Sequence, residues 1–285
     1  MIKAVAFAKV NLTLRILGRR KDGFHLIDSI TAFCNFGDQI EIIVNSSSDD
    51  LEITGPFASK LEGPNIVTKT LKYFRNETGW LQPIKIKIDK HIPVAAGLGG
   101  GSANAAAVLK LLNMVTPRPK ITRRAMYKIA LNIGADVPAC LESRAVRMGG
   151  IGEQLSGIGE LPRISILLVN PMIKLLTKDV FSSLLINNSS PFEVWQPRAT
   201  THEIFTTIGS KAPNDLIDSA IKHAPIIRQV LDTLDLLTGV KSIGMSGSGA
   251  TCFALFEPND TNDISIAQEI MISRGWWTAK TSLRN

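Results

Sequence analysis

The stretch PVAAGLGGGSANAAAVL, residues 93–109, places four glycines within positions 97–101, directly before an alanine-rich run. Alanine is the strongest helix former, so this run predicts a helix that begins close to Ser102. The surplus of glycine indicates a loop whose bare backbone N–H groups approach an anion at the positive end of that helix. A tight turn that packs the helix against a sheet is the alternative at this point.

The glycine run fits neither of two common nucleotide-binding loops. A P-loop requires Gly-Lys-Ser/Thr at its end, and no lysine follows these glycines. A dinucleotide fingerprint requires glycine at the position of Ser102, which we expect either to cap the helix or to turn its hydroxyl toward a phosphate or its metal. A second loop of small residues, GMSGSGAT at 244–251, predicts either a tight hairpin or a cover over the same phosphates.

Strands and helices interleave on both sides of the glycine loop, which predicts an α+β fold. The predicted strands are 6–16, 38–44, 84–88, 163–169, one on each side of 244–251, and one at 276–283. The predicted helices are 65–79, one from residue 102, 121–134, two within 214–237, and one near 262–274. A break near 155–162 divides the chain into two predicted domains, 1–158 and 159–285, with a cleft between them.

Composition limits the classes of protein that remain. The chain has 285 residues, 45% of them hydrophobic and 20% charged, as in ordinary globular proteins. Its net charge of +7 suits an anionic partner without requiring one. The basic residues are dispersed without interleaved aromatics, which argues against nucleic-acid binding. Three scattered cysteines, no signal-peptide pattern and no long apolar run predict a cytoplasmic protein that does not enter a membrane.

Two charged residues lie in apolar surroundings. Lys9 and Asn11 share one face of the first predicted strand, among small residues that suggest a covered face, where a lysine needs an anionic partner. Asp136 stands before the apolar run Val-Pro-Ala-Cys. The alternatives are solvent-facing side chains in the strand and an Asx-turn or helix cap at Asp136. Together with a phosphate-binding loop, Lys9 and Asp136 match phosphoryl transfer to a hydroxyl, with Asp136 accepting the proton and Lys9 stabilising the developing charge.

A third feature is the aromatic pair Phe24 and His25, in a turn after Asp22-Gly23. Such a pair is suited to stacking on a ring and hydrogen-bonding its edge, or simply to hydrophobic packing. The histidines show no ligand spacing with any cysteine, so no zinc or other protein-bound metal site is predicted.

The motifs resemble a known set. PVAAGLGGGSANAA is similar to the ATP-binding signature of the GHMP kinase superfamily. AKVNLTLRILGRRKDGFHLIDSI (8–30), IGADVPACL (133–141) and GMSGSGATCFALF (244–256) narrow the resemblance to the 4-diphosphocytidyl-2-C-methyl-D-erythritol kinase family of the non-mevalonate isoprenoid pathway. The resemblance covers nearly the whole chain.

This resemblance implies an N-terminal domain like domain 2 of ribosomal protein S5, a ferredoxin-like C-terminal domain, and an active site in the cleft between them. It implies an ATP-dependent small-molecule kinase that phosphorylates the 2-hydroxyl of 4-diphosphocytidyl-2-C-methyl-D-erythritol, giving the 2-phosphate and ADP. Mg²⁺ would be carried mainly by ATP. The substrate is the only partner expected, for a monomer or a weak homodimer.

Site residues follow by position. The resemblance implies that Lys9 and Asp136 are catalytic. For ATP it implies Asn65 and Lys90 near the adenosine and the loop Pro93, Val94, Ala95, Ala96, Gly97, Leu98, Gly99, Gly100, Gly101, Ser102 and Ala103. For the substrate it implies Asn11, and Phe24, His25, Thr177 and Phe181 around the cytosine, with two rings sandwiching the base while His25 reads its edge.

The chain departs from the family pattern at three positions. Phe24 stands where tyrosine is frequent, Leu176 where proline is usual, and Ile173 where glycine is usual, so the register of Phe181 is less constrained than that of His25. Two other functions remain open at this stage. One is a kinase for another small alcohol such as homoserine or mevalonate, and the other is a nucleotide-binding sensor or nucleic-acid-binding protein.

Overall fold

The computed structural model describes residues 1–61, 65–117, 120–184, 189–193 and 198–285. The described chain forms two compact units, each assembled from separate stretches. Unit 1 contains Met1–Ala8, Gly37–Val94 and Gly99–Ser143. Unit 2 contains Lys9–Phe36, Ala95–Leu98 and Arg144–Asn285. The boundary at 158/159 stays a prediction.

The described elements alternate along the chain, and the predicted α+β class is confirmed. The strands are β1 Ile2–Asn11, β2 Arg15–Arg19, β3 His25–Val44, β4 Asp50–Thr54, β5 Ile84–Asp89, β6 Val146–Gly149, β7 Gln154–Gly157, β8 Ser165–Asn170, β9 Ser242–Met245, β10 Cys252–Phe256 and β11 Trp277–Ser282. The helices are α1 Ile66–Thr78, α2 Gly100–Val115, α3 Arg123–Ile133, α4 Val137–Glu142, α5 Thr177–Ser182, α6 Thr201–Ile208, α7 Ile217–His223, α8 Ile226–Asp235 and α9 Thr261–Ser273, with a short 3₁₀ helix at Ala58–Lys60.

Unit 1 is built on the end of β3, which pairs antiparallel with β5, while β4 pairs parallel with β5. The isoleucines of β5 are buried and alternate with Lys85 and Lys87, which face outward as predicted and pair with Glu52. Helix α2 packs against α1, α3 and α4. The predicted helices 65–79 and 121–134 are confirmed, because Asn65 caps α1, Thr122 caps α3, and a left-handed Gly79 ends α1.

Unit 2 contains the first part of β3, which pairs with β2 and β6, and a separate antiparallel sheet in the order β11-β8-β10-β9. Helices α8 and α9 pack on this second sheet. Their contact closes an apolar core that includes Val169, Met245, Phe256 and Met271. The predicted order of strand, glycine loop and strand at 242–256 is confirmed by the antiparallel pairing of β9 with β10.

The predicted strand 6–16 is wrong in its limits, because β1 ends at Asn11 and β2 begins only at Arg15. Every residue from Ala8 to Leu14 is buried, in agreement with the covered face that was predicted and against its solvent-facing alternative. Polar side chains in this stretch bond to other buried groups, so the pattern of polarity does not mark an exposed face. None of the helices in the described ranges is both long and apolar enough to cross a bilayer.

Candidate active site

Unit 1 carries the N-terminus of α2, which follows the glycine run. Gly99 occupies the N-cap with a left-handed φ of 62°, and no side chain caps the helix among the described residues. The first intrahelical bond runs from Ala103 N to Gly99 O, so the N–H groups of the preceding turn are directed out of the helix end. Ser102 lies inside the first turn, and the prediction that it caps the helix is wrong because Gly99 takes that position. The arrangement is suited to binding an anion.

A buried ion pair lies directly behind this helix end. Asp38, in the second half of β3, accepts a hydrogen bond from Lys90 Nζ at 2.5 Å and from the backbone N–H groups of His91 and Ile92 at 2.7 Å each. Burial lowers the pKa of Lys90, while the Asp38 carboxylate acts against that shift. A Cβ built on Gly100 would lie 3.0 Å from Lys90 Nζ, so the ammonium occupies the space that any side chain at that position would need.

Asn65 lies near the same helix end through its neighbour Ile66. A Cβ on Gly101 would be 3.7 Å from Ile66 Cγ2, an ordinary contact. The Asn65 Oδ1 atom accepts from Val67 N at 2.9 Å and so caps α1. Unit 1 therefore brings the start of α2 together with Lys90 and the start of α1, as expected for an adenosine-side cluster. The contacts of Asn65 and Lys90 with a nucleotide stay predictions.

Asp136 occupies the N-cap of α4, a half-buried position, but its side chain makes no capping hydrogen bond. The alternative that this aspartate serves as a helix cap therefore loses its support. Asp136 belongs to unit 1 and Lys9 to unit 2. Their convergence on one reacting group stays a prediction.

In unit 2, Lys9 and Asn11 are buried side chains, each 4% exposed. Lys9 Nζ donates to Asn11 Oδ1 at 3.0 Å. A covered lysine at this position was predicted, together with a need for an anionic partner. The contact with Asn11 joins the ammonium to an amide oxygen, and the anionic partner stays a prediction.

The segment Ala95–Leu98 is held by neighbours in unit 2. Gly97 has φ of 74°, and its carbonyl accepts from Ser246 Oγ at 2.8 Å. The carbonyl of Leu98 accepts from Lys9 N at 2.9 Å, and that of Ala96 from Thr251 N at 3.3 Å. The loop at 244–251 therefore supports the glycine run directly, and it also joins the antiparallel strands β9 and β10 as a hairpin does. Its role as a cover over phosphates stays a prediction.

The remaining predicted substrate residues also lie in unit 2. The rings of His25 and Phe181 are 5.0 Å apart and tilted by 35°, so the two side chains share one site. Thr177, the first residue of α5, lies 2.9 Å from Ser248 through their hydroxyl oxygens. Phe24 is 58% exposed. Burial, and secondarily the positive charge of Arg19, lower the pKa of His25, which favours the neutral form of the imidazole.

Asp38 and Ser246 were missed by the sequence reasoning, although both contact predicted site residues. Asp38 had a signal, since a carboxylate inside a strand of isoleucines needs a buried partner. Ser246 had none beyond its place in a loop of small residues. Within the described ranges, no group of three or more His, Cys, Asp or Glu side chains is arranged to hold a metal ion.

Fold and site together define a small-molecule kinase of the GHMP class. The family model for the GHMP kinases N terminal domain matches residues 65–144, and that for the GHMP kinases C terminal matches residues 203–273. A crystal structure of homoserine kinase from Cytophaga hutchinsonii has the same fold, with a TM-score of 0.70 at 16% identity over 99% of this chain and 94% of that one.

Closer similarity specifies the branch of the class. A 4-diphosphocytidyl-2-C-methyl-D-erythritol kinase from Ruegeria pomeroyi is 40% identical over 98% of both chains. Another, from Gluconacetobacter diazotrophicus, is 38% identical over 95% of this chain and 92% of its own. A crystal structure of 4-(cytidine 5'-diphospho)-2C-methyl-D-erythritol kinase matches all of both chains with a TM-score of 0.80 and 27% identity. The chain belongs to the 4-diphosphocytidyl-2-C-methyl-D-erythritol kinase family.

Proposed function

We propose that this chain transfers the γ-phosphoryl group of ATP to the 2-hydroxyl of 4-diphosphocytidyl-2-C-methyl-D-erythritol, releasing ADP and the 2-phosphate, as a step of non-mevalonate isoprenoid synthesis. The observation that carries the proposal is the glycine-rich N-terminus of α2, which no side chain caps among the described residues. Such an end stabilises phosphate oxygens through N–H groups and the helix dipole. Membership of the family is the basis for the identity of the substrate that accepts the phosphoryl group.

The donor lies along residues 93–103, with its phosphates on the start of α2 and its adenosine toward Asn65 and Lys90. Lys90 serves this site from beneath, because its ammonium bonds to Asp38 and lies against Gly100. Mg²⁺ would accompany the ATP and be held mainly by phosphate oxygens, and the Ser102 hydroxyl and the Asp136 carboxylate are the protein oxygens that would complete its coordination. Oxygen ligands of this kind suit Mg²⁺.

The chemistry uses Asp136 and Lys9. The carboxylate of Asp136 accepts the proton of the 2-hydroxyl while its oxygen bonds to the γ-phosphorus and the bond to the β,γ-bridging oxygen breaks. The Lys9 ammonium stabilises the negative charge that develops on the oxygens of the transferring group. The Oδ1 atom of Asn11 accepts a hydrogen bond from this ammonium.

The cytidine end of the substrate occupies the site of His25 and Phe181. A neutral imidazole at His25 both donates and accepts, as the edge of cytosine requires. Phe181 offers a face for stacking, exposed Phe24 covers the other face of the base, and Thr177 closes the pocket. Asn11 contributes to the acceptor side through the Oδ1 atom beside Lys9.

An ADP-release assay with the cytidyl substrate tests this function. We expect Asp136→Asn to bind ATP normally and to lose more than about 10²-fold in turnover, because a general base contributes 10²–10⁴-fold. Asp260→Asn is the matched control, since Asp260 is also a helix N-cap residue without a side-chain capping bond. Unchanged turnover in Asp136→Asn would remove that residue from the mechanism.

Competition by CMP tests the acceptor. Inhibition that is competitive with the cytidyl substrate supports a cytosine site, and it should weaken in Phe181→Ala. Phosphorylation of homoserine or mevalonate, with no effect of CMP, would instead assign the chain to another small alcohol.

A further inference from the structure

A buried polar cluster joins β1 to β3 within unit 2. Asn11 and its partners Ser29 and Thr31 are at most 4% exposed. Asn11 Nδ2 lies 2.7 Å from Ser29 Oγ and 3.1 Å from Thr31 Oγ1. Its Oδ1 atom faces Lys9 Nζ at 3.0 Å. The side-chain amide of Asn11 is therefore enclosed by two hydroxyls on one side and an ammonium on the other.

The hydroxyl protons decide which way this amide points. Ser29 Oγ donates to the carbonyl oxygen of Thr13 at 2.6 Å, and a carbonyl can only accept, so the Ser29 proton is committed there. Thr31 Oγ1 has Met148 Sδ at 3.1 Å and Ser29 Oγ at 3.3 Å as acceptors for its own proton. Both hydroxyls then present lone pairs to Asn11, and the group that faces them has to be the NH₂.

The position of the Asn11 backbone is fixed separately. Its N–H donates to Ser246 Oγ at 3.1 Å, and Ser246 in turn donates to Gly97 O at 2.8 Å. Because the backbone and the NH₂ group of Asn11 are both held by hydrogen bonds, its Oδ1 atom is oriented toward Lys9. A flipped amide would set two N–H groups against the ammonium and leave Ser29 and Thr31 facing an oxygen that cannot donate to them. In a buried site, that loss of acceptors is costly.

We infer that Ser29 and Thr31 are positioning residues for phosphoryl transfer: their hydroxyls orient the Asn11 amide, whose carbonyl oxygen then sets the position of the Lys9 ammonium. This inference rests on the proposed function, in which Lys9 stabilises the transferring phosphoryl group. It also assigns both N–H groups of the Asn11 amide to the protein, so Asn11 can only offer the substrate the second lone pair of Oδ1.

The test is the double variant Ser29→Ala/Thr31→Val, which removes both hydroxyls and nearly conserves volume. We expect kcat to fall on the order of 10²-fold, since small displacements of catalytic groups have effects of that size, while the KM for ATP stays unchanged. Thr31→Ser keeps the hydroxyl and should retain most of the turnover. Ser242→Ala/Thr116→Val is the matched control, because Ser242 Oγ is buried without a partner among the described residues and the Thr116 hydroxyl donates to Leu112 O in the last turn of α2.

A second readout follows the amide itself. The side-chain NH₂ signal of Asn11 in a ¹H–¹⁵N spectrum, identified by its loss in Asn11→Asp, should exchange slowly with solvent in the wild type because both hydrogens are bonded and buried. Exchange should accelerate in Ser29→Ala/Thr31→Val and stay slow in the control. If the double variant does not unfold cooperatively, kcat and the exchange of the Asn11 amide are measured in Ser29→Ala alone.

The outcomes separate cleanly. A fall in kcat together with faster amide exchange supports the inference. A folded variant with wild-type kcat, or one whose kcat falls while the amide stays protected, overturns it. A wild-type chain that does not phosphorylate the cytidyl substrate overturns the proposed function, and the exchange measurement still decides whether Ser29 and Thr31 orient Asn11.

Discussion

Two glycines of the same run, Gly97 and Gly101, should respond to alanine in opposite ways. A Cβ built on Gly97 would lie 2.3 Å from the carbonyl oxygen of Ser246 and 2.8 Å from that of Gly249, where real Cβ atoms do not approach. The residue also has φ of 74°. A Cβ on Gly101 meets nothing closer than Ile66 Cγ2 at 3.7 Å, in a helical backbone conformation.

The magnitudes follow from these contacts. For Gly97→Ala, the left-handed conformation costs about 1–2 kcal/mol, and the shift needed to relieve the clash breaks the bond from Ser246 Oγ, worth about 0.5–1.5 kcal/mol. The free energy of unfolding should therefore fall by about 1.5–3.5 kcal/mol. Gly101→Ala should raise it by up to about 1 kcal/mol, because alanine loses less backbone freedom than glycine when a helix forms.

Urea unfolding followed by tryptophan fluorescence and circular dichroism measures both changes. With an m-value of about 3 kcal/mol/M, the midpoint of Gly97→Ala should drop by about 0.5–1.2 M, and that of Gly101→Ala should stay or rise. Equal midpoints for the two variants would refute the assignment of Gly97 to a closely packed, left-handed position. A fall for Gly101→Ala alone would refute the account of the helix start.

Two further predictions concern charge. Asp38→Asn should cost about 3–5 kcal/mol of unfolding free energy by leaving Lys90 buried without its counter-charge. Asp89→Asn, which loses only a half-exposed contact with His91, should cost less than about 1 kcal/mol, and urea midpoints compare the two variants. Because burial and Arg19 lower the pKa of His25 below that of an unfolded or exposed histidine, acid charges the unfolded chain first, and stability should decline as pH falls below about 6.5. Cytidyl-substrate affinity follows the folded protein and should decline only at lower pH, and His25→Asn should flatten the dependence of KM on pH.

Local chemistry made parts of the fold predictable. Asn65 and Thr122 accept from backbone N–H groups two or three residues away, and Gly79 ends its helix in a conformation that glycine favours. Each of these signals lies within a few residues of the feature it predicts. The element type and the approximate limits of α1 and α3 therefore follow from the sequence alone.

Partners distant in sequence explain what could not be predicted. The small residues around Lys9 and Asn11 indicated a covered face, but nothing nearby in the sequence shows that Asn11 bonds to groups 18 and 20 residues away. Lys90 was assigned to the ligand, while its nearest partner in the fold is Asp38, 52 positions earlier. A charged or amide side chain shows that a partner exists, but the fold decides which residue supplies it.

The glycine run illustrates how such distant partners shape the proposed phosphate site. Glycines widen the range of backbone conformations that the loop can adopt, but they do not select the one in which the N–H groups point toward a ligand. The carbonyls of Ala96, Gly97 and Leu98 are each held by a hydrogen bond from another part of unit 2. In a trans peptide the carbonyl and the N–H of the next residue point in opposite directions, so fixing three consecutive carbonyls turns the three following N–H groups away from those partners. The hydrogen bonds to these carbonyls therefore fix the directions of the loop's N–H groups before any anion binds. A ligand that binds there would then lose little free energy to ordering of the loop.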